Sequence, residues 1–554
     1  MTKATDHDNE RKRRIKNNVR RTSNLRVILA KKIPKLTKSN QPSNGDLVKY
    51  SPSSSLVRSQ SGLAPYRGSF TKFFTHDANG FVLYDKFETL LKAINEDSKH
   101  HWNDVEVNNK LVDPQAFNAF TPLGYAAQSI PTHSPAPALA SAEAGTELIE
   151  LYCMSGCRDI PFDTYSTLPV EIVSSLSAMN TSNVISAYEG ITDQITHLLT
   201  HDLIFKGSSA GDIVGPHISQ FLLLPVPMQN TMFIVDQLYP PADSQTFLTN
   251  FTDYLNNQND GTNDPSGPIT FGATKRYVAT GRDLANVVHW DNNLTHPMNA
   301  ALILWFGLKC PLDSHIPYTS ITNQTGFVYF GILDLLTSIA EATHLSMAAA
   351  WNVKWNINLR PRPEEMAAHL HTYKTNPLYS FLSGSLPSNL PSNTSITDFA
   401  FTPYSTYLLS QAFSEGAPAH PAYPSGHATF MGAAVTILKA WFKNSQAISS
   451  LTTYGGVTAL PVEADSGTSY TTLTQYTGPN NLTVASELDK LASNVANGRL
   501  WGGIHYRSDG DEGILLGERV AIQFLTQRAK MYPASLNFKG FRLTKRNGEV
   551  VTIK

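Results

Sequence analysis

Apolar residues recur at three- and four-residue spacing, or run almost without a break, over 138–151, 283–289, 300–308, 332–351, 428–442, 487–496 and 511–528. That pattern predicts helices, several of them apolar on more than one side and so buried among neighbours. Ser141 and Glu143 stand near the start of the first of these runs, where a helix beginning wants a capping hydroxyl and an early acid. Polar stretches at 256–268, 383–403 and 443–481 interrupt the pattern. The last is rich in Thr, Tyr and Gly and has room for short hairpins. At the C-terminus, 541–544 and 550–553 flank Asn547-Gly548, the signature of a β-hairpin. No short-period repeat is present, and no linker inside 70–554 demands a cut. The expectation is one large, mainly α body over 63–554, preceded by an arm over 1–62.

Charge separates the arm from the body. The 554 residues carry a formal net charge of −1, from 44 Lys and Arg against 45 Asp and Glu. Residues 1–50 hold 14 of those bases and only 4 of the acids, so they carry +10 and the other 504 residues −11. The arm has little periodicity and a Ser/Pro-rich stretch at 51–60. It is expected to wrap a partner subunit or to be unstructured alone. A nucleic-acid grip is disfavoured, because no aromatic residue is interleaved among the charges before Tyr50. At 41% hydrophobic the body can bury a core, which excludes disorder throughout. The longest apolar run, 298–308, is too short for a membrane span. The start of the chain has no apolar signal core, and Asp6, Asp8 and Glu10 argue against a transit peptide, so the expected compartment is the cytoplasm. Three cysteines make no disulfide framework; Cys153 and Cys157, four apart on an expected helix, read as buried thiols.

Chemistry concentrates in three segments. The first runs from Lys354 through Arg360-Pro361 and Arg362-Pro363 to Glu364, the second from His420 through Pro424-Ser425-Gly426-His427, and the third from Arg499 through His505 to Asp509. Lys354, an arginine of the first segment and Arg499 are cations set in apolar or aromatic sequence, where each either snorkels or meets a buried anion. Several converging would define a seat for a multiply charged oxyanion. Ser425 and Gly426 fall just before the helical run at 428–442, which puts a hydroxyl and free N–H groups at a helix N-terminus. His427 and His505 are proton donors or ligands near neutral pH. Asp509, four residues after His505, can orient that imidazole on a helical turn.

Taken in this order, the three segments resemble the vanadium-dependent haloperoxidase and type 2 phosphatidic acid phosphatase superfamily, whose pattern runs Lys…Arg-Pro, then Pro-Ser-Gly-His, then Arg-x5-His-x3-Asp. Segments 70–82, 135–151, 276–291, 417–442 and 482–519 look like its algal and cyanobacterial haloperoxidase branch, so the likeness covers roughly 68–554 and leaves out the arm. It implies an all-α fold of two four-helix bundles, with minor β-hairpins added by the sequence pattern. It implies a vanadate cofactor hydrogen-bonded by Lys354, Arg362, Ser425, the Gly426 N–H and Arg499, with His505 as the axial ligand and His427 as the acid/base. Halide would be oxidised by hydrogen peroxide to hypohalous acid or an equivalent that halogenates a small organic acceptor. Relatives in this branch form dimers or dimer-based rings.

Two features depart from the pattern. Both Arg360 and Arg362 precede a proline; the eight-residue spacing from Lys354 favours Arg362 without excluding Arg360. The stretch between Lys354 and Arg362 is also less basic than is usual in the branch, which bears on halide access. His420, seven residues before His427, stands where bromoperoxidases of the family tend to carry a second histidine, so the resemblance implies bromide and iodide over chloride. A phosphatase is the alternative on the same seat, with His505 as nucleophile and His427 as leaving-group acid. The flanking likeness, and the 72 positions between His427 and Arg499, weigh against it.

Overall fold

A computed structural model describes residues 42–96, 102–116, 133–188, 190–261, 268–290, 293–454, 462–464, 467, 469–473, 482–532, 536 and 538–554. Eleven α-helices of eight residues or more build this part: α1 (Tyr84–Glu96), α2 (Ala142–Cys157), α3 (Val170–Met179), α4 (Phe251–Asp260), α5 (Gly281–His289), α6 (Thr295–Leu302), α7 (Ile332–Asn352), α8 (Pro363–Thr375), α9 (Gly426–Trp441), α10 (Val484–Trp501) and α11 (Arg507–Ala529). Three antiparallel hairpins complete it: β1 (Val226–Met228) with β2 (Phe233–Val235), β3 (Val462–Ala464) with β4 (Tyr470–Thr472), and β5 (Phe541–Thr544) with β6 (Val550–Ile553).

The apolar run at 428–442 becomes the central helix. Every residue of α9 except His427 is buried, as a helix apolar on all sides must be. α7, α10 and α11 pack round it, and α7 and α10 each also meet α11, giving a four-helix cluster. α9 and α11 approach closely because glycine stands at the crossing. A Cβ at Gly432 would lie 2.2 Å from the Ile514 carbonyl oxygen, and one at Gly517 2.0 Å from that of Thr429. This crossing brings the N-terminus of α9, with Ser425, beside the N-terminus of α11, with His505 and Asp509. The Ser425 N–H donates to the Asp509 carbonyl at 2.8 Å.

Each helical run expected from the sequence falls on a helix, with two adjustments. The run at 300–308 is α-helical only to Leu302 and then widens into a π-helical turn over Ile303–Gly307. The polar stretch at 383–403 holds short helical turns, among them Thr397–Phe401. The hairpins at 541–553 and within 443–481 are present, whereas the β1–β2 hairpin carried no turn signal. Most of the basic arm, residues 1–41, lies outside the described residues. Residues 42–62 lie against the body: the Asp46 carboxylate accepts from the Leu139 N–H at 2.8 Å, and the Arg67 guanidinium sits 4.5 Å from the Tyr50 ring centroid. Cys153, Cys157 and Cys310 are free and buried. Among the described residues, no helix is long and apolar enough to cross a membrane.

Candidate functional site

The site begins where α7 ends. Asn352 passes into a π-helical turn, Val353–Asn358, which Leu359 closes in the left-handed region at φ 47°. A π turn is a wide, strained form that recurs at functional sites, and a non-glycine residue with positive φ is uncommon. Together they aim Lys354 inward and let the chain reverse before Pro361 and Pro363. Lys354 is fully buried; its ammonium donates to the carbonyls of Pro421 at 2.7 Å and Ala422 at 2.9 Å.

The two neighbouring arginines then separate. Arg360 turns to carboxylates: Nη1 donates to Asp509 at 2.7 Å, Nη2 to Glu147 at 2.7 Å, and its guanidinium lies 4.0 Å from the Tyr506 ring centroid. Burial opposes that charge, but Asp509 and Glu147 outweigh it and raise the guanidinium pKa above its ordinary value. Arg362, the N-cap of α8, turns to histidines and carbonyls. Nε donates to the His420 carbonyl at 2.9 Å and Nη1 to that of Ile504 at 3.0 Å. Nη1 also lies 3.0 Å from His505 Nε2, and Nη2 3.1 Å from His420 Nδ1. Burial pulls its pKa down to about 10.

His505 and Asp509 meet as their spacing suggests. Asp509 Oδ2 accepts from His505 Nδ1 at 2.9 Å and from the Tyr506 N–H at 3.0 Å. With its Nδ1 proton held by a carboxylate, the imidazole presents the Nε2 lone pair to the pocket. Burial, then repulsion by Arg362, Lys354 and Arg499, holds this histidine well below its usual pKa, so it is neutral. Ser425 caps α9, accepting from the Ala428 N–H at 3.4 Å. A Cβ at Gly426 would lie 3.0 Å from the Trp351 ring, so the backbone there passes close under an aromatic wall. His427 is held well below its usual pKa by burial and then by Arg499 and His289. Arg499, near the end of α10, is drawn down to about 9 by burial and then by Arg362.

Lys354, Arg362, Ser425, Gly426, His427, Arg499 and His505 therefore converge, and His420 joins them between Arg362 and Trp351, whose ring centroid lies 4.9 Å away. Asp509 stands behind His505. Sequence reasoning missed three contributors. Glu147 holds Arg360, and also the Ser508 N–H at 2.6 Å. Trp351 covers the pocket, and His289 touches Arg499 at 3.3 Å. None belongs to a motif; Glu147, His289 and Trp351 each fall in an expected helical run, which marks them as helical and gives no sign of a partner.

The donor set suits an anion. Lys354, Arg362 and Arg499 are buried and repel one another. The nearby carboxylates of Asp509 and Glu365 are turned to His505, Arg360 and the Arg362 N–H. Arg499 Nε is buried with no hydrogen-bond partner. Among the described residues, no group of three His, Cys, Asp or Glu side chains is placed to hold a bare metal ion. A single imidazole backed by a carboxylate, His505, amid basic side chains, a hydroxyl and a helix N-terminus fits a metal oxyanion such as vanadate, which wants one ligand and many donors.

Comparison with known proteins agrees with this chemistry. Residues 334–533 match a family model described as the VCPO second helical-bundle domain. The vanadium-dependent bromoperoxidase of Ascophyllum nodosum is 34% identical over 511 residues, covering 87% of this chain and 86% of that protein. The vanadium-dependent bromoperoxidase of Corallina officinalis is 28% identical, covering 88% of this chain and 90% of its own length. In structure, the homohexameric second vanadate-dependent bromoperoxidase of A. nodosum superposes with a TM-score of 0.80 at 24% identity, over 96% of this chain and 90% of that one. That likeness establishes the fold.

Proposed function

The chain belongs to the vanadium-dependent bromoperoxidase family, and from that premise we propose that its buried cation pocket binds vanadate and oxidises halide with hydrogen peroxide. The observation that carries the reading is the meeting of a carboxylate-backed neutral imidazole, His505, with the side chains of Lys354, Arg362 and Arg499, which among the described residues hydrogen-bond carbonyls and histidines and no carboxylate. His505 Nε2 would bind vanadium, its Nδ1 proton fixed by Asp509. Arg362, Arg499, Lys354, the Ser425 hydroxyl and the Gly426 N–H would hold the oxygens. When bound, vanadate supplies Lewis-acid activation of peroxide. The protein's part is to hold that charge in a dry, preorganised set of donors. His427, half-buried and neutral, is free to take and return the protons of incoming peroxide. Arg362 rather than Arg360 takes the oxyanion role in this reading, because Arg360 is already committed to Glu147 and Asp509.

Bromide and iodide are favoured over chloride, on the strength of His420 beside Arg362. The product is hypohalous acid or its equivalent, passed to an organic acceptor. Residues 63–554 form the catalytic body and 1–62 the arm. One relative of this fold is a homohexamer, and a dimer-based homo-oligomer is part of the proposal for this chain. The test is reconstitution of the metal-stripped protein. Adding vanadate and peroxide should restore bromide oxidation, and His505→Ala should restore none. Turnover of an aryl phosphate without vanadate, blocked by adding it, would instead favour a phosphatase.

A further inference from the structure

We infer that His289 is the positioning residue for Arg499, and that Glu415 fixes the tautomer in which His289 does so. The inference rests on the oxyanion reading above and concerns a residue that belongs to none of its motifs.

His289 ends α5. Its ring stacks on Phe413, with centroids 3.9 Å apart and planes at 16°, and meets the Trp290 ring edge-on at 4.7 Å. This packing leaves the ring little freedom to turn. Its Nε2 lies 2.9 Å from Glu415 Oε1 and its Nδ1 3.3 Å from Arg499 Nη1. A carboxylate can only accept and a guanidinium can only donate. A neutral imidazole between them satisfies both partners in a single tautomer, with the proton on Nε2 and the lone pair on Nδ1. Glu415 selects that tautomer. It is itself tethered, since its carbonyl accepts from Lys72 Nζ at 2.7 Å.

The same order of groups occurs a second time in the pocket. Asp509, His505 and Arg362 form a carboxylate–imidazole–guanidinium chain at 2.9 and 3.0 Å. In that chain the imidazole is the ligand. In the Glu415–His289–Arg499 chain it is a support, reaching the pocket only through the arginine. Among the described residues, the hydrogen bond to His289 is the one that holds the Arg499 side chain, whose Nε is buried without a partner. Arg499 is also repelled by Arg362. The acceptor behind it resists that repulsion and keeps the guanidinium aimed at the oxyanion.

The experiment separates the two nitrogens. His289→Asn places an amide oxygen near the Nδ1 position and keeps an acceptor for Arg499. His289→Gln places its amide near Nε2, keeping the contact with Glu415 and losing the acceptor. Orthovanadate binding to the full chain is measured by titration calorimetry, beside thermal unfolding of each variant. Wild type and His289→Asn should bind alike, and His289→Gln and His289→Ala should bind about 10- to 100-fold more weakly, the usual loss when a support behind a metal site is removed. Glu415→Leu should weaken binding in the wild-type background and have no further effect in His289→Asn. Equal loss in Asn, Gln and Ala would make His289 a packing residue and overturn the inference, as would no loss in any. Wild type failing to bind orthovanadate would overturn the oxyanion reading itself.

Discussion

Replacing Arg360 and Arg362 one at a time by methionine should give opposite results, although they are two positions apart. Arg360→Met removes the cation shared by Glu147 and Asp509, each 2.7 Å away, and leaves buried carboxylates uncompensated. Breaking a buried ion pair from one side costs about 3–5 kcal/mol. Arg362→Met strands no carboxylate. Burial holds that guanidinium down to about 10 from 12.5, so removing the charge releases about 3 kcal/mol at ~1.4 kcal/mol per pKa unit. Against this stand the freed carbonyls of His420 and Ile504, at roughly 1–3 kcal/mol each. The stability of Arg362→Met should therefore stay within about 2 kcal/mol of wild type. Its vanadate affinity should not: each charge-assisted hydrogen bond lost is worth ~1.5–3 kcal/mol, which predicts binding weaker by roughly 10-fold or more. Urea unfolding and calorimetric titration with orthovanadate read the two quantities separately. If Arg362→Met unfolds readily and Arg360→Met loses vanadate with its stability intact, the division of labour drawn from the geometry is wrong.

Asp509→Asn, which keeps the shape but not the charge behind His505, should weaken vanadate binding about 10- to 100-fold; unchanged affinity would show that the His505 orientation does not depend on the carboxylate. Glu365 is raised by burial from 4.5 to about 7, so the folded state keeps a proton that the unfolded chain gives up earlier. Its contribution to stability is thus full below about pH 4.5 and is lost as pH rises through about 7, by up to roughly 3 kcal/mol. Glu365→Gln should flatten the fall in unfolding free energy between about pH 4.5 and 7, and an identical slope in the variant would refute that assignment. Gly517→Ala puts a Cβ 2.0 Å from the Thr429 carbonyl oxygen. It should cost at least ~1–3 kcal/mol by denaturant unfolding, and a neutral result would mean the α9–α11 crossing can open.

Much of the fold was legible because its helices are buried on several sides, and burial writes apolar residues into the sequence at helical spacing. The run at 428–442 and the nearly all-buried α9 are the clearest case. The π-helical turns were not legible. Widening by one residue per turn leaves the apolar pattern almost unchanged, so Ile303–Gly307 read as ordinary helix. The β1–β2 hairpin escaped because it is short and its second strand is exposed, which leaves no alternation to read. In the site, Ser425, His427, His505 and Asp509 were legible because their spacing is local: a cap and the first turn of one helix, and an i, i+4 pair at the start of another. His289 and Glu147 were not, since each reaches the site from a distant helix and their own neighbours give no hint of a partner.

The sequence by itself determined which residues are chemically able to serve an oxyanion and which short-range geometry each has, because caps, helical turns and residue types depend only on near neighbours. Only the tertiary structure decided how those residues are shared out. Arg360 and Arg362 have the same side chain and the same following proline. What separates them is that α2 brings Glu147 to one, while the Ile504–His505 turn brings a carbonyl and an imidazole to the other. Charges more than a few residues apart in the chain interact only where packing makes them neighbours, and in a buried pocket that placement determines which cation is neutralised and which remains to bind.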